Sequence, residues 1–140
     1  MSHISKIELE IQDLQVLRQA CAELGLTFKE NQKTYRWYGK YVGDTPLPEG
    51  TKVEDLGKCD HAIRVPGAAY EIGVVQRNGR HILLWDSWHA GGLERVLGRN
   101  AGRLKQAYAV ARVRQQAARG NYRLRRQQLA DGTIQLTLSR

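Results

Sequence analysis

The stretch that most constrains this chain is Tyr70–Trp88, which reads Tyr-Glu-Ile-Gly-Val-Val-Gln-Arg-Asn-Gly-Arg-His-Ile-Leu-Leu-Trp-Asp-Ser-Trp. An Asn-Gly pair between two apolar runs is a strong hairpin signal, because a type I′ turn needs positive φ at both central residues. With Asn78 and Gly79 at the turn centre, Arg77 is set against Arg80, Val75 against Ile82, Gly73 against Leu84 and Glu71 against Asp86. The alternate face carries Tyr70, Ile72, Val74, Leu83 and Trp85. Ile82 to Trp85 is apolar on both faces, as befits a strand inside a covered sheet. Whatever else the chain does, both sides of this hairpin have to be covered.

The flanking segments supply the rest of the sheet. Ile4, Ile7, Leu9 and Ile11 alternate with Lys6, Glu8 and Glu10, which predicts a strand with an irregularity near Ser5. Asp13 then stands as an N-cap, Leu14, Leu17, Cys21 and Leu24 form a helical stripe, and Gly25 is placed to end it. Leu26–Lys29 and Ala62–Val65 read as short strands, the second stopped by Pro66-Gly67. After Trp88 comes a turn of helix through Leu93, Val96 and Leu97, ended by Gly98. A main helix follows from about Asn100 to Arg119, with Ala101, Leu104, Tyr108 and Ala111 on one face. In the tail, Ile134, Leu136 and Leu138 alternate with polar residues. A two-residue turn at Asp131-Gly132 would set Leu124 on the wrong face. A type I turn through Ala130-Asp131 with Gly132 as a G1 bulge instead pairs Leu124 with Leu138 and brings Tyr122 to the same face.

These elements predict an α+β fold: a two-layer sandwich, mostly antiparallel sheet with two helices, ferredoxin-like in arrangement. Residues 1–140 read as a single domain with an irregular insertion at about 31–58. The expected core groups Ile72, Val74, Leu83, Trp85, Leu104 and Leu136. Two cysteines and no secretory leader pattern lead to the expectation of a reducing cytoplasm, and no apolar run reaches membrane-spanning length.

Charge is the unusual feature. The formal net charge is +8, yet ten Lys or Arg and no acid fall between Arg95 and Ala130. Arg112, Arg114, Arg119, Arg123, Arg125 and Arg126 are therefore candidate contacts for a partner or a nucleic acid. The insertion begins with Tyr35, Trp37, Tyr38 and Tyr41 among Lys33, Arg36 and Lys40. Aromatics interleaved with cations stack on bases in single-strand binders, which makes Trp37 and Tyr38 candidates for the same role. The alternative is that these rings pin a long insertion to the domain.

No phosphate-binding Gly-rich loop, dinucleotide fingerprint, nucleophile elbow or zinc-protease helix occurs. One polar constellation remains: Glu71 opposite Asp86, with Cys59, Asp60, His61 and His89 nearby in sequence. Opposed carboxylates repel, so the fold must supply a proton, a metal or a cation; an arginine bridge from Arg64 or the tail is expected. Cys59-x-His61 is tighter than the usual zinc-ligand spacing. No cofactor is implied, and the missing motifs weigh against an enzyme.

Several motifs stand in an order that matches a known family: Met1-Ser2-His3-Ile4-Ser5-Lys6-Ile7, Tyr70-Glu71-Ile72-Gly73, Trp85-Asp86 with Trp88, Gln106-Ala107-Tyr108-Ala109 and Asp131-Gly132-Thr133-Ile134-Gln135-Leu136. The chain resembles, over nearly its whole length, the conserved family that includes the plastid and cyanobacterial hypothetical chloroplast reading frame thirty-five proteins. The Leu56–Ile63 run is more similar to a bacterial branch, and the long insertion departs from the plastid form. The resemblance implies the fold and no particular activity. Bacterial members look like neighbours of AAA-type ATPases, which implies a protein partner of that class.

Three functions from different classes follow. The leading expectation is a small basic interaction or adaptor module that docks on an acidic protein surface, such as an ATPase. The alternative is a nucleic-acid binder using residues 95–130. The second alternative is a small enzyme or metal site at Glu71, Asp86, His61 and His89.

Overall fold

A computed structural model describes residues 3–41, 43, 46–120 and 123–139. Its elements are β1 (Ile4–Ile11), α1 (Leu14–Leu24), β2 (Thr27–Lys29), β3 (His61–Arg64), β4 (Glu71–Arg77), β5 (Arg80–Asp86), α2 (Leu93–Leu97), α3 (Gly102–Arg119), β6 (Arg123–Gln128) and β7 (Ile134–Ser139). The β4–β5 hairpin forms at the Asn-Gly turn, with φ of 52° at Asn78 and 76° at Gly79. Its ladder runs from Arg77–Arg80 through Val75–Ile82 to Gly73–Leu84. Pairing stops there, and the Glu71–Asp86 pair that simple extension of the register gives is not part of it.

The main sheet has five strands in the order β1-β5-β4-β3-β2, every pairing antiparallel. The fold is thus α+β with a mostly antiparallel sheet. The strand order does not establish the ferredoxin-like detail, because three strands rather than one separate β1 from β2, the pair joined by α1. The turn of helix after Trp88 is a short third helix, α2. The irregularity in β1 lies between Ile7 and Ile11, not near Ser5. Ser5 pairs with Trp85, and its hydroxyl accepts the indole N–H at 3.1 Å. The extra residues in β1 let Ile7 and Ile11 both reach the core.

Helix α1 starts where a side chain replaces the missing turn: Asp13 Oδ1 accepts the Gln15 amide at 2.8 Å. It ends at Gly25, whose φ of 73° is the left-handed cap geometry. The second oxygen of Asp13 accepts Gln115 Nε2 at 3.0 Å, so one carboxylate both caps α1 and ties it to α3. Those bonds, the Gln115 one foremost, hold the Asp13 carboxyl below its usual pKa. Both helices cover one face of the sheet. There Ile72, Val74, Leu83, Trp85 and Leu104 meet Leu17, Cys21, Tyr108 and Ala111 in a single cluster.

Leu136 is not in that cluster. It sits half-buried in β7, which pairs only with β6 in a separate two-stranded sheet. The turn is the bulged one: Gly132 has φ of 89°, its N–H reaches Leu129 O, and Leu124 pairs with Leu138. Tyr122 lies outside the described residues. An ion pair from Arg126 to Glu23 joins this hairpin to α1. Among the described residues, no helix is long and apolar enough to cross a membrane.

Leu83→Ala should lower unfolding free energy by about 2–5 kcal/mol, while Leu136→Ala should lose less than about 1 kcal/mol because its site is already part-solvated. Urea denaturation of both variants checks this. Equal losses would mean that the tail hairpin belongs to the main core.

Candidate functional site

The sheet face away from the helices is covered by the insertion. Residues 33–35 run antiparallel to 57–59, through a Thr34–Lys58 bridge, a Tyr35 N–H bond to Gly57 O and a Cys59 N–H bond to Lys33 O, both 2.9 Å. Tyr35 is 3 % exposed, and with Ala62 and Leu84 it forms a second small core, against which Trp37, Val75 and Ile82 pack. Gly73 makes this possible. A Cβ there would lie 2.4 Å from the Tyr35 ring, so a glycine that weakens β4 locally is the seat of the insertion's buried aromatic. Trp37 is seated in the same way on Gly57, where a Cβ would stand 2.6 Å from the indole nitrogen. For Tyr35 and Trp37 the rings therefore pin the insertion. Tyr38 alone of the candidate stacking residues presents its ring, at 44 % exposure.

The two carboxylates of the polar constellation are buried, Glu71 at 6 % exposure and Asp86 at 0 %. Among the described residues, no arginine forms an ion pair with either. Asp86 is instead met by three backbone amides: His3 N–H at 2.9 Å and Trp88 N–H at 3.0 Å on Oδ1, and Tyr38 N–H at 3.0 Å on Oδ2. Glu71 Oε1 accepts the Arg36 amide at 3.0 Å and Gln32 Nε2 at 3.2 Å, while its own N–H donates to Arg36 O. The nearest cation to Glu71 is Lys29, at 3.9 Å from Oε2. Arg64, opposite Glu71 in the β3–β4 ladder, is exposed and forms no ion pair with it. Amides win because they arrive with the chain itself and leave no flexible side chain to order.

The other members of the constellation have separate tasks. Asp60 Oδ2 accepts the Gln76 amide at 2.7 Å, His61 Nδ1 accepts the Asn31 amide at 2.9 Å, and the Cys59 thiol donates to Gln32 O at 3.2 Å. Burial, reinforced by Asp60 and Glu71, pushes the Cys59 pKa up to about 11, so its thiolate is scarce at neutral pH. Cys21 is pushed up to about 12 by burial, as suits a core residue. His89 is exposed and stacks on Trp88, with ring centroids 4.1 Å apart. Among the described residues, no group of three or more His, Cys, Asp or Glu converges as a metal site would require. Five of the six polar candidates thus lie along the seam between insertion and sheet, each bonded to backbone, and His89 lies beyond it against Trp88. Gly91 and Gly92 likewise use their amides to close a turn, on Trp88 O and His89 O.

Two features went unseen in the sequence. His81 on β5 lies beside His61, with ring centroids 6.0 Å apart, and Phe28 completes the group at 5.4 Å from His61. The hairpin register could have placed His81 here only once β3 was paired in its actual frame. Gln32, which bonds both Thr34 O and Glu71, carries no sequence signal at all.

The basic candidates are on the other side of the sheet. Arg112, Arg114 and Arg119 are exposed on α3, and Arg126 is engaged by Glu23. The backbones of Arg123 and Arg125 belong to β6, and their side chains lie outside what the structure describes.

Replacing Asp86 by Asn turns one acceptor into a donor that must face a backbone N–H, so Asp86→Asn should cost about 1–3 kcal/mol in a urea titration. Among the described residues, the buried Tyr35 hydroxyl has no partner in hydrogen-bonding geometry. Burial drives its pKa up to about 12, with the Gly57 backbone pulling the other way. Tyr35→Phe should accordingly leave stability within about 0.5 kcal/mol of the parent, or raise it. A large loss for the Phe variant together with a silent Asp86→Asn would reverse these two roles.

Burial, aided by the facing His61 and opposed by Asp60, lowers the His81 pKa from its ordinary 6.5. The unfolded chain then binds this proton more readily than the fold does. The contribution is complete above pH about 6.5 and is lost as pH falls through that value. Urea midpoints at pH about 7.5 and about 5.5 should therefore differ less for His81→Gln than for the parent chain. An unchanged difference would remove His81 as a source of acid sensitivity.

No family model matches this chain, and neither does any curated protein or solved structure.

Proposed function

We propose that this chain is a small non-catalytic interaction module that docks through α3 on an acidic protein surface. One observation carries the reading. Helix α3 bears Arg103, Lys105, Arg112, Arg114 and Arg119 and no acid, and among the described residues none of these five stands in an ion pair. Elsewhere, Arg18, Arg80 and Arg126 each face a glutamate. Lys105, Arg112 and Arg119 recur at seven-residue spacing, which puts them on one side of a rigid helix. Cations fixed in this way and not neutralised internally steer an acidic partner and favour a complementary contact. The resemblance noted above adds an ATPase as the class of partner.

The enzyme reading is weakened because Glu71, Asp86, Asp60, His61 and Cys59 are engaged in holding backbone. A nucleic-acid binder would use the same cations. The packing of Tyr35 and Trp37 leaves it few rings on which to stack bases, which favours a protein partner.

Nuclease-treated native lysate should yield a protein partner on the immobilised full-length chain. Arg112→Gln with Arg119→Gln should abolish that capture while moving the thermal midpoint only slightly, since among the described residues neither side chain forms an ion pair and Arg119 acts on Asp13 only through its charge. If nuclease removes every partner, the protein reading fails. Salt-dependent oligonucleotide binding, with a log–log slope of about −0.9 per phosphate on duplex DNA, would then put a nucleic acid in its place.

A further inference from the structure

We infer that the hollow where β2, β3 and β4 meet the start of the insertion binds a small polyol phosphate, a phosphate monoester that also carries a free hydroxyl. This site lies apart from α3 and does not depend on the docking reading. The hollow has a volume of about 340 Å³, at the small end of the range for ligand pockets. Glu71 is set in its lining, Lys29, Arg36 and Arg64 surround it, and the turn carrying Ala69 and Tyr70 bounds it.

Three cations and one carboxylate give the lining a net charge of +2. Lys29 is only loosely engaged, at 3.9 Å from Glu71. The guanidinium groups of Arg36 and Arg64 make no hydrogen bond or ion pair among the described residues. Two uncommitted planar forks beside an ammonium suit a compact dianion, and a phosphate monoester carries about −1.5 to −2 at neutral pH.

Glu71 narrows the class further. Its Oε1 accepts two bonds, from Arg36 N–H at 3.0 Å and Gln32 Nε2 at 3.2 Å. Its Oε2 has only long contacts, to Gln32 at 3.4 Å and Lys29 at 3.9 Å. A carboxylate oxygen has two lone pairs, so Oε2 retains capacity for one more donor. An alkyl phosphate dianion would set its charge near this carboxylate without offering any hydroxyl, and inorganic phosphate offers only a hydroxyl on phosphorus itself, held at the same centre as the charge. A polyol phosphate places its phosphoryl oxygens on Arg36, Arg64 and Lys29 and turns a neighbouring hydroxyl to Glu71 Oε2. The bonds made are hydrogen bonds and ion pairs only.

The test is a titration of the ¹⁵N-labelled full chain, followed by amide chemical shifts, with glycerol 3-phosphate, ethyl phosphate, inorganic phosphate and glycerol. Glycerol 3-phosphate should saturate shifts confined to the Lys29–Arg36 and Arg64–Glu71 segments and bind tightest of the four. Arg64→Ala, an exposed and unbonded position, should weaken it by about tenfold, whereas Arg112→Ala should leave it unchanged. No saturable shift at about 10 mM, ten times a millimolar dissociation constant, would overturn the site. So would shifts centred on α3, or an unaffected Arg64→Ala. Ethyl phosphate or inorganic phosphate binding as tightly as glycerol 3-phosphate would overturn the assigned ligand class.

Discussion

Two buried carboxylates, at the ends of β4 and β5 where the hairpin ladder has stopped, hold the outer layer of this protein in place. An ionised group taken out of water costs several kcal/mol unless its hydrogen-bonding capacity is met. Asp86 meets it with amides from His3, Tyr38 and Trp88, which lie 83, 48 and 2 residues away in sequence. One side chain therefore joins the approach to β1, the insertion and the turn after β5. Glu71 does the same for the insertion alone, exchanging bonds in both directions with the backbone of Arg36. The Tyr35 ring on Gly73 sits one alternation further along β4. Charge fixes the path of the insertion, and the ring fills the space beneath it.

That arrangement commits the residues with the most chemical promise to bonds that hold the backbone. A general base needs a free lone pair next to a substrate, and a nucleophile needs an accessible, readily ionised atom. Asp60 and His61 have oxygen or nitrogen lone pairs directed at the amides of Gln76 and Asn31. The Cys59 thiol is held protonated by burial. Each is adjacent in sequence to the next, yet the bend at Asp60 that leads into β3 sends them to different partners.

What could be read from the sequence was what depends on neighbours in the chain. The Asn78-Gly79 turn, the Asp13 cap, the Gly25 stop and the Gly132 bulge are all settled by one to four residues, and each forms where its residues require it. Extrapolation from these local rules failed where distant segments intervened. The hairpin register carried forward puts Glu71 against Asp86, but repulsion and the arrival of residues 35–38 end the ladder two residues earlier. Alternation in β7 correctly gives Leu136 an inward side. It does not reveal that this inward side faces only a two-stranded appendage. The insertion was the least legible part, because its amides, not its side-chain pattern, decide where it runs.

The division of charge follows from the same constraint. Glu71 and Asp86, on the insertion side of the sheet, are drawn inward by unsatisfied amides, so their charge is met within the fold and is withdrawn from the surface. Helix α3 packs by Leu104, Ala107, Tyr108 and Ala111 and needs no acid to do so, and among the described residues its cations form no ion pair, although Arg103 donates to Val96 O. A net charge of +8 is thus concentrated at the surface more strongly than the composition suggests. Where the insertion returns to Glu71, it carries Arg36 to a position near Lys29 and Arg64 and encloses the cationic hollow. The contacts that engage the Glu71 carboxylate are those that bring three cations around it. In this fold the anchoring of a loop and the formation of an anion-attracting surface are a single event.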